Sequence, residues 1–266
     1  MLYYKIYSDE KNQLSHEKPV VVLIHGFAGN MGIFAKQIAP LKKKYDLILV
    51  DLPSHGQTVE QLSDSEISFA AISYEIVHIL DELRVERAHF IGCSVGVMFV
   101  KYFLTYFNDR VDKSIMIGAV GEYLPCYKSA IRWGKFLLHF LPCQLACQFI
   151  SKVVMPDKIS KDVRKWFLLC CKKIPKKEFY AWMTLFTRFP QLNKQYLKRI
   201  KSNQINTDKV LYISGETDLL FLPTVKKEMK QFANSYILSN CGHICNYDKP
   251  KETNDLIKLF LARKEG

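Results

Sequence analysis

No apolar stretch in the 266 residues reaches the length of about 20 needed to cross a bilayer as a helix. The first residues, Met1-Leu2-Tyr3-Tyr4-Lys5-Ile6-Tyr7-Ser8, form an alternating strand-like run. They lack a basic region, an apolar core and a small-residue cleavage site, so no signal peptide is expected. Both absences favour a soluble protein of the cytoplasm. None of the eight cysteines stands in a C-x-x-C pair, although Cys170 and Cys171 are adjacent. Cys241 and Cys245 flank His243, but this spacing matches no common zinc pattern, so no metal or cofactor is expected. The thiols are expected to be reduced and mostly buried. There are no internal repeats or low-complexity tracts, and no helix-turn-helix, RNP or zinc-finger pattern, which argues against nucleic acid as a partner.

Charge is present, and it is unevenly distributed. The net charge is +12, and from Glu122 to Ile205 there are 17 Lys or Arg against 4 Asp or Glu. The remainder, with 21 against 22, is about neutral. The basic character therefore belongs to one segment. It is either a solvated lysine-rich helical face or a surface for anionic carriers, coenzyme A or lipid headgroups.

The pattern of apolar residues gives an interrupted alternation of strand and helix. Pro19 to Ile24 and Asp46 to Val50 are continuous β-branched or aliphatic runs, as expected of strands buried on both faces. Between them, Gly32 to Lys43 has helical spacing, which makes a parallel crossover unit. Ser68 to Leu83 reads as a helix, Ala88 to Ile91 as a strand, Val97 to Phe107 as a helix and Ser114 to Ile117 as a strand. Some eighty residues of helical pattern follow, holding Trp133, Trp166 and Trp182. Strands return at Lys209 to Ser214 and Ser235 to Leu238, with helices at Pro223 to Phe232 and Pro250 to Arg263. The expected architecture is α/β: a mostly parallel central sheet, flanked by helices, with an inserted all-helical cap. Residues 1–121 and 206–266 form its core and 122–205 its cap.

Gly92-Cys93-Ser94-Val95-Gly96 lies where a strand gives way to a helix. A G-x-S-x-G turn in that context lifts the serine hydroxyl above the sheet edge and aims the next amide, that of Val95, at the same point. A hydroxyl is a poor nucleophile until a neighbouring base takes its proton.

Four further motifs follow the same order as in a known family. They are His25-Gly26-Phe27-Ala28-Gly29, Asp51-Leu52-Pro53-Ser54-His55-Gly56, Gly215-Glu216-Thr217-Asp218 and Gly242-His243. With the elbow they span nearly the whole chain, which resembles an α/β-hydrolase with a cap. The resemblance implies Ser94 as nucleophile, His243 as general base and acid, and Asp218 as the carboxylate orienting the imidazole, with Glu122 as the competing carboxylate. It implies an oxyanion hole from the backbone amides of Phe27 and Val95. His25, His55 and Asp51 are expected to brace loops, and Cys93 to point away from the site. Val97 and Ser54 stand where many relatives carry glycine, which leaves the subfamily open.

The aromatic residues of the insert are first of all its core. Phe27, Trp133, Trp166 and Trp182 are the candidates for lining an apolar acyl pocket. The expected reaction is hydrolysis of a small-molecule carboxylic ester or thioester through an acyl-serine. The alternatives are related chemistry (C–C bond hydrolysis, lactone opening, perhydrolysis) or a ligand-sensing module with the same pocket.

Overall fold

The computed structural model describes residues 1–10, 13–58, 67–121, 142–155 and 157–263. Strands β1 (Tyr4–Tyr7), β2 (Val20–Ile24), β3 (Asp46–Val50), β4 (Ala88–Cys93), β5 (Val111–Ile117), β6 (Val210–Gly215) and β7 (Ser235–Leu238) form one sheet in the order β1-β3-β2-β4-β5-β6-β7. β1 runs antiparallel to β3, and every other pairing is parallel. The chain steps from β2 to β3 on one side and resumes at β4 on the other. β2 and β4 therefore flank a switch point, where a crevice opens at the carboxyl edge. Ile24 is in register with Gly92 and Cys93 with Ile117, which brings the loops after β2, β4 and β5 together at that crevice.

The continuous apolar strands are buried on both faces. In β2, Val20, Val22 and Ile24 join one hydrophobic layer, and Val21 and Leu23 join the other. The first layer is closed by α2 (Phe69–Glu82), α3 (Val95–Tyr106), α6 (Lys176–Lys201) and α7 (Leu222–Met229). The second is closed by α1 (Ala35–Leu41) and α9 (Pro250–Ala262), with help from α5 (Asp157–Cys171) and the short α8 (Cys245–Asp248). Ser68 caps α2 by accepting from the Ala71 amide, which fixes where that helix begins.

Between β5 and β6 the described residues are helical: α4 (Cys143–Val154), α5 and α6. Two expectations need correction. β5 begins at Val111 rather than Ser114, because the buried Lys113 is satisfied by the carbonyls of Phe260 and Leu261 and so can occupy a strand. The cysteines are not all free thiols, since Cys147 and Cys171 form a disulfide between α4 and α5. Both lie on the facing sides of two helices that pack together, a proximity set by tertiary structure.

Candidate active site

Ser94 follows β4 and immediately precedes α3, with φ 54° and ψ −116°, a conformation that a side-chain-bearing residue rarely adopts. The surroundings over-determine it. The Ser94 amide donates to the Ile117 carbonyl (2.8 Å), and the Val97 amide donates to the Ser94 carbonyl (2.9 Å). A Cβ at Gly96 would lie 2.0 Å from the Ile24 carbonyl oxygen, so only glycine lets α3 start this close to β2. Helix geometry gives the Val95 amide no partner within α3, leaving it available above the elbow.

His243, on the loop after β7, and Asp218, on the turn after β6, reach the half-buried Ser94 from the far side of the sheet. His243 Nε2 lies 2.8 Å from Ser94 Oγ, and His243 Nδ1 lies 2.6 Å from Asp218 Oδ2. Both side chains are buried. The second carboxylate oxygen of Asp218 accepts from the Phe221 amide (3.0 Å), so the carboxylate is held before it meets the ring. The Phe221 ring packs against the His243 ring, tilted by 38° with centroids 4.8 Å apart. Hydroxyl, imidazole and carboxylate thus form one hydrogen-bonded line. Such a line can draw a proton from the serine and stabilise the resulting imidazolium. Glu122 and Trp133 lie outside the described residues.

The loop after β2 passes over Ser94: a Cβ on Gly26 would stand 3.0 Å from Ser94 Cβ and 3.5 Å from its Oγ. The next residue, Phe27, is where the second amide donor is expected. Two histidines hold this loop. His25 Nδ1 donates to the Gly26 carbonyl (2.7 Å), and its Nε2 accepts from the Leu52 amide (2.9 Å). His55 Nδ1 donates to the Pro53 carbonyl (2.7 Å), and its Nε2 accepts from the Ala28 amide (2.8 Å). Each ring must stay neutral to accept. Burial pushes His25 down to about 4 and His55 to about 3, the latter helped by the neighbouring His25. Asp51 accepts from the Met31 (2.7 Å) and Gln57 (2.9 Å) amides and ties the second loop to the first, while burial raises its carboxyl above the usual range. Cys93 faces away, towards Asn246 (3.4 Å), and burial pushes its thiol up to about 12.

The aromatic candidates divide. Phe27 meets Phe179 (5.2 Å), Phe186 (5.4 Å) and Trp182 (6.0 Å) of α6. Trp182 is completely enclosed; its indole donates to the Pro53 carbonyl (3.2 Å) and stands edge-on to His55 (5.1 Å). It wedges α6 against the loop after β3. Trp166, half-buried on α5, covers Gly29 and Gly32 on the other flank of the Phe27 loop.

Asp248 escapes a reading of the sequence. One of its carboxylate oxygens accepts from the Gly242 amide (3.0 Å) and from Ser160 Oγ of α5 (2.6 Å), bracing the turn that carries His243 against the helical layer. Its partners lie 6 and 88 residues away, and the only local signal is its place shortly after Gly242-His243. Among the described residues, no group of three or more His, Cys, Asp or Glu could hold a metal ion. No helix among them is long and apolar enough to cross a membrane.

A sequence profile of the alpha/beta hydrolase fold matches residues 19–142. The uncharacterized hydrolase YugF of Bacillus subtilis is 32% identical over 272 residues, covering 98% of this chain and 94% of its own. The esterase YbfF of Escherichia coli is 30% identical over 108 residues, 40% of each chain. The crystal structure of a hydrolase from Pseudomonas aeruginosa PA01 superposes with a TM-score of 0.77 at 15% identity, covering 98% of this chain and 94% of that one. The chain belongs to the alpha/beta hydrolase fold family.

Proposed function

We propose that this hydrolase cleaves carboxylic esters or thioesters with an apolar acyl group through an acyl-serine intermediate. The observation that carries the reading is the unbroken line Ser94–His243–Asp218, with contacts of 2.8 and 2.6 Å. As Ser94 Oγ attacks the acyl carbonyl, His243 Nε2 takes its proton. The carbonyl oxygen, now negative, is held by the amides of Val95 and Phe27, each worth about 3 to 4 kcal/mol in the transition state. His243 then protonates the departing alcohol or thiol, and a water activated by the same ring releases the acid. Asp218 keeps the Nδ1 proton in place throughout. No cofactor enters this sequence.

In this reading, residues 1–121 and 206–266 form the catalytic core, and 122–205 form a cap that excludes water from the acyl-enzyme. Phe27 lines the acyl pocket and Trp166 flanks it, while the enclosed Trp182 packs behind the Phe27 ring. The excess of lysine in the cap favours acyl groups carried on an anionic moiety: a carrier, coenzyme A or a lipid headgroup. The ester-cleaving activity named for the relative YbfF supports this reaction class. The test is turnover of a p-nitrophenyl ester series from acetate to laurate and of acyl-pantetheine thioesters, with Ser94→Ala as reference. Turnover at the level of Ser94→Ala across both series would contradict the proposal.

A further inference from the structure

On α4, Leu145, Gln148, Phe149 and Lys152 share one stripe at helical spacing, and all four are exposed. The opposite stripe, Cys143, Cys147 and Ser151, is buried. A helix packed on a core ordinarily turns polar residues outward. Here the stripe carries Phe149, 72% exposed, and Leu145, 48% exposed. The packed neighbour α5 repeats the arrangement with Lys161, Lys165 and Leu169, the last 53% exposed. Lys172, Lys173, Lys176 and Lys177 continue it through the turn into α6, all exposed. From Pro142 to Ile205 there are 14 Lys or Arg against Asp157, Asp162 and Glu178, and Glu178 is buried.

We infer that the outer face of α4 and α5 docks on an anionic lipid bilayer. Large apolar side chains sit within one turn of lysines: Phe149 beside Lys152, and Leu169 beside Lys165. Such pairs suit an interface where the ring or isobutyl group enters the acyl boundary and the lysine stem runs up to a phosphate. Among the described side chains of α4 and α5, Asp162 is the one exposed carboxylate, so little repulsion opposes an anionic surface. The inner side of the same two helices, through Cys147 and Cys171, packs with Ala28 and Phe27. A bilayer on the outer face would therefore lie one helical layer from the loop over Ser94. None of the docking side chains belongs to that site.

Co-sedimentation with vesicles tests this without any turnover measurement, so it stands or falls separately from the proposed reaction. The protein is expected to bind phosphatidylcholine vesicles containing about 30% phosphatidylglycerol, and to bind pure phosphatidylcholine far less. Binding should weaken at least about tenfold between about 0.1 M and about 0.5 M salt. Leu145→Ser with Phe149→Ser should lower the partition coefficient at least about tenfold at an unchanged melting temperature. Lys161→Glu with Lys165→Glu should lower it about fivefold or more per lysine. Absence of binding to the anionic vesicles would overturn the inference. So would equal binding by the Leu145/Phe149 double variant. Binding to soluble polyglutamate but not to vesicles would contradict it too, since the surface would then serve an acidic protein.

Discussion

Lys101 and Glu228 form an ion pair of 2.6 Å with both side chains buried. Lys101 lies two turns along α3 from Ser94, and Glu228 lies on α7, shortly after Asp218. The lysine also donates to Asn193 Oδ1 of α6 (2.8 Å) and to the Val120 carbonyl (3.2 Å), and the Tyr212 hydroxyl of β6 donates to Glu228 (2.5 Å). One charge pair thereby joins the helix behind the serine, the helix behind the acid and the long helix carrying Trp182.

Breaking that pair from one side leaves a buried charge without compensation. Lys101→Met is expected to cost about 3 to 5 kcal/mol of stability, and Lys101→Met with Glu228→Gln much less than the sum of the two single changes. Urea denaturation of the four proteins in a double-mutant cycle measures this. Additive losses would show that the pair does not act as a unit.

Acid should destabilise the fold through the two loop histidines. Both are neutral when folded, at about 4 for His25 and about 3 for His55, and near 6.5 when unfolded. Below 6.5 the unfolded chain takes up protons that the folded chain refuses, so stability falls as pH drops towards 4 and is unaffected by these groups above 6.5. Each contributes about 1.4 kcal/mol per pH unit in that window. Urea midpoints should reveal a loss of about 2 to 3 kcal/mol between pH 7.5 and 5.5. A flat profile would mean the rings are not held neutral.

The acid partner of His243 is a separate question from the nucleophile. Asp218→Asn should lower kcat by about 10⁴, because an amide no longer secures the Nδ1 proton and cannot balance an imidazolium. Glu122→Gln should keep most of the activity. Steady-state turnover of a short ester by both variants decides between them, and the reverse ranking would move the acid to position 122.

Much of this was legible in the sequence because it depends on short-range pattern. β2 and β3 are unbroken aliphatic runs, as burial on both faces requires. The elbow is readable because Gly92 and Gly96 are demanded by backbone proximity alone. What stayed hidden depends on residues distant in the chain. Lys113 breaks an apolar pattern that its carbonyl partners 147 and 148 residues away make acceptable. Lys101 looks like a solvated helical lysine until Glu228 is placed beside it. The Cys147–Cys171 link follows from how α4 meets α5. Asp248 carries no motif, and its role arises only when Gly242 and Ser160 converge on it.

Ser94 as the attacking group is the centre of the account, and intact-protein mass spectrometry after fluorophosphonate treatment tests it most directly. One adduct should form, map to Ser94 and vanish in Ser94→Ala, whose fold is verified by its melting temperature. No adduct on the wild-type protein, or an adduct that persists in Ser94→Ala, would contradict it.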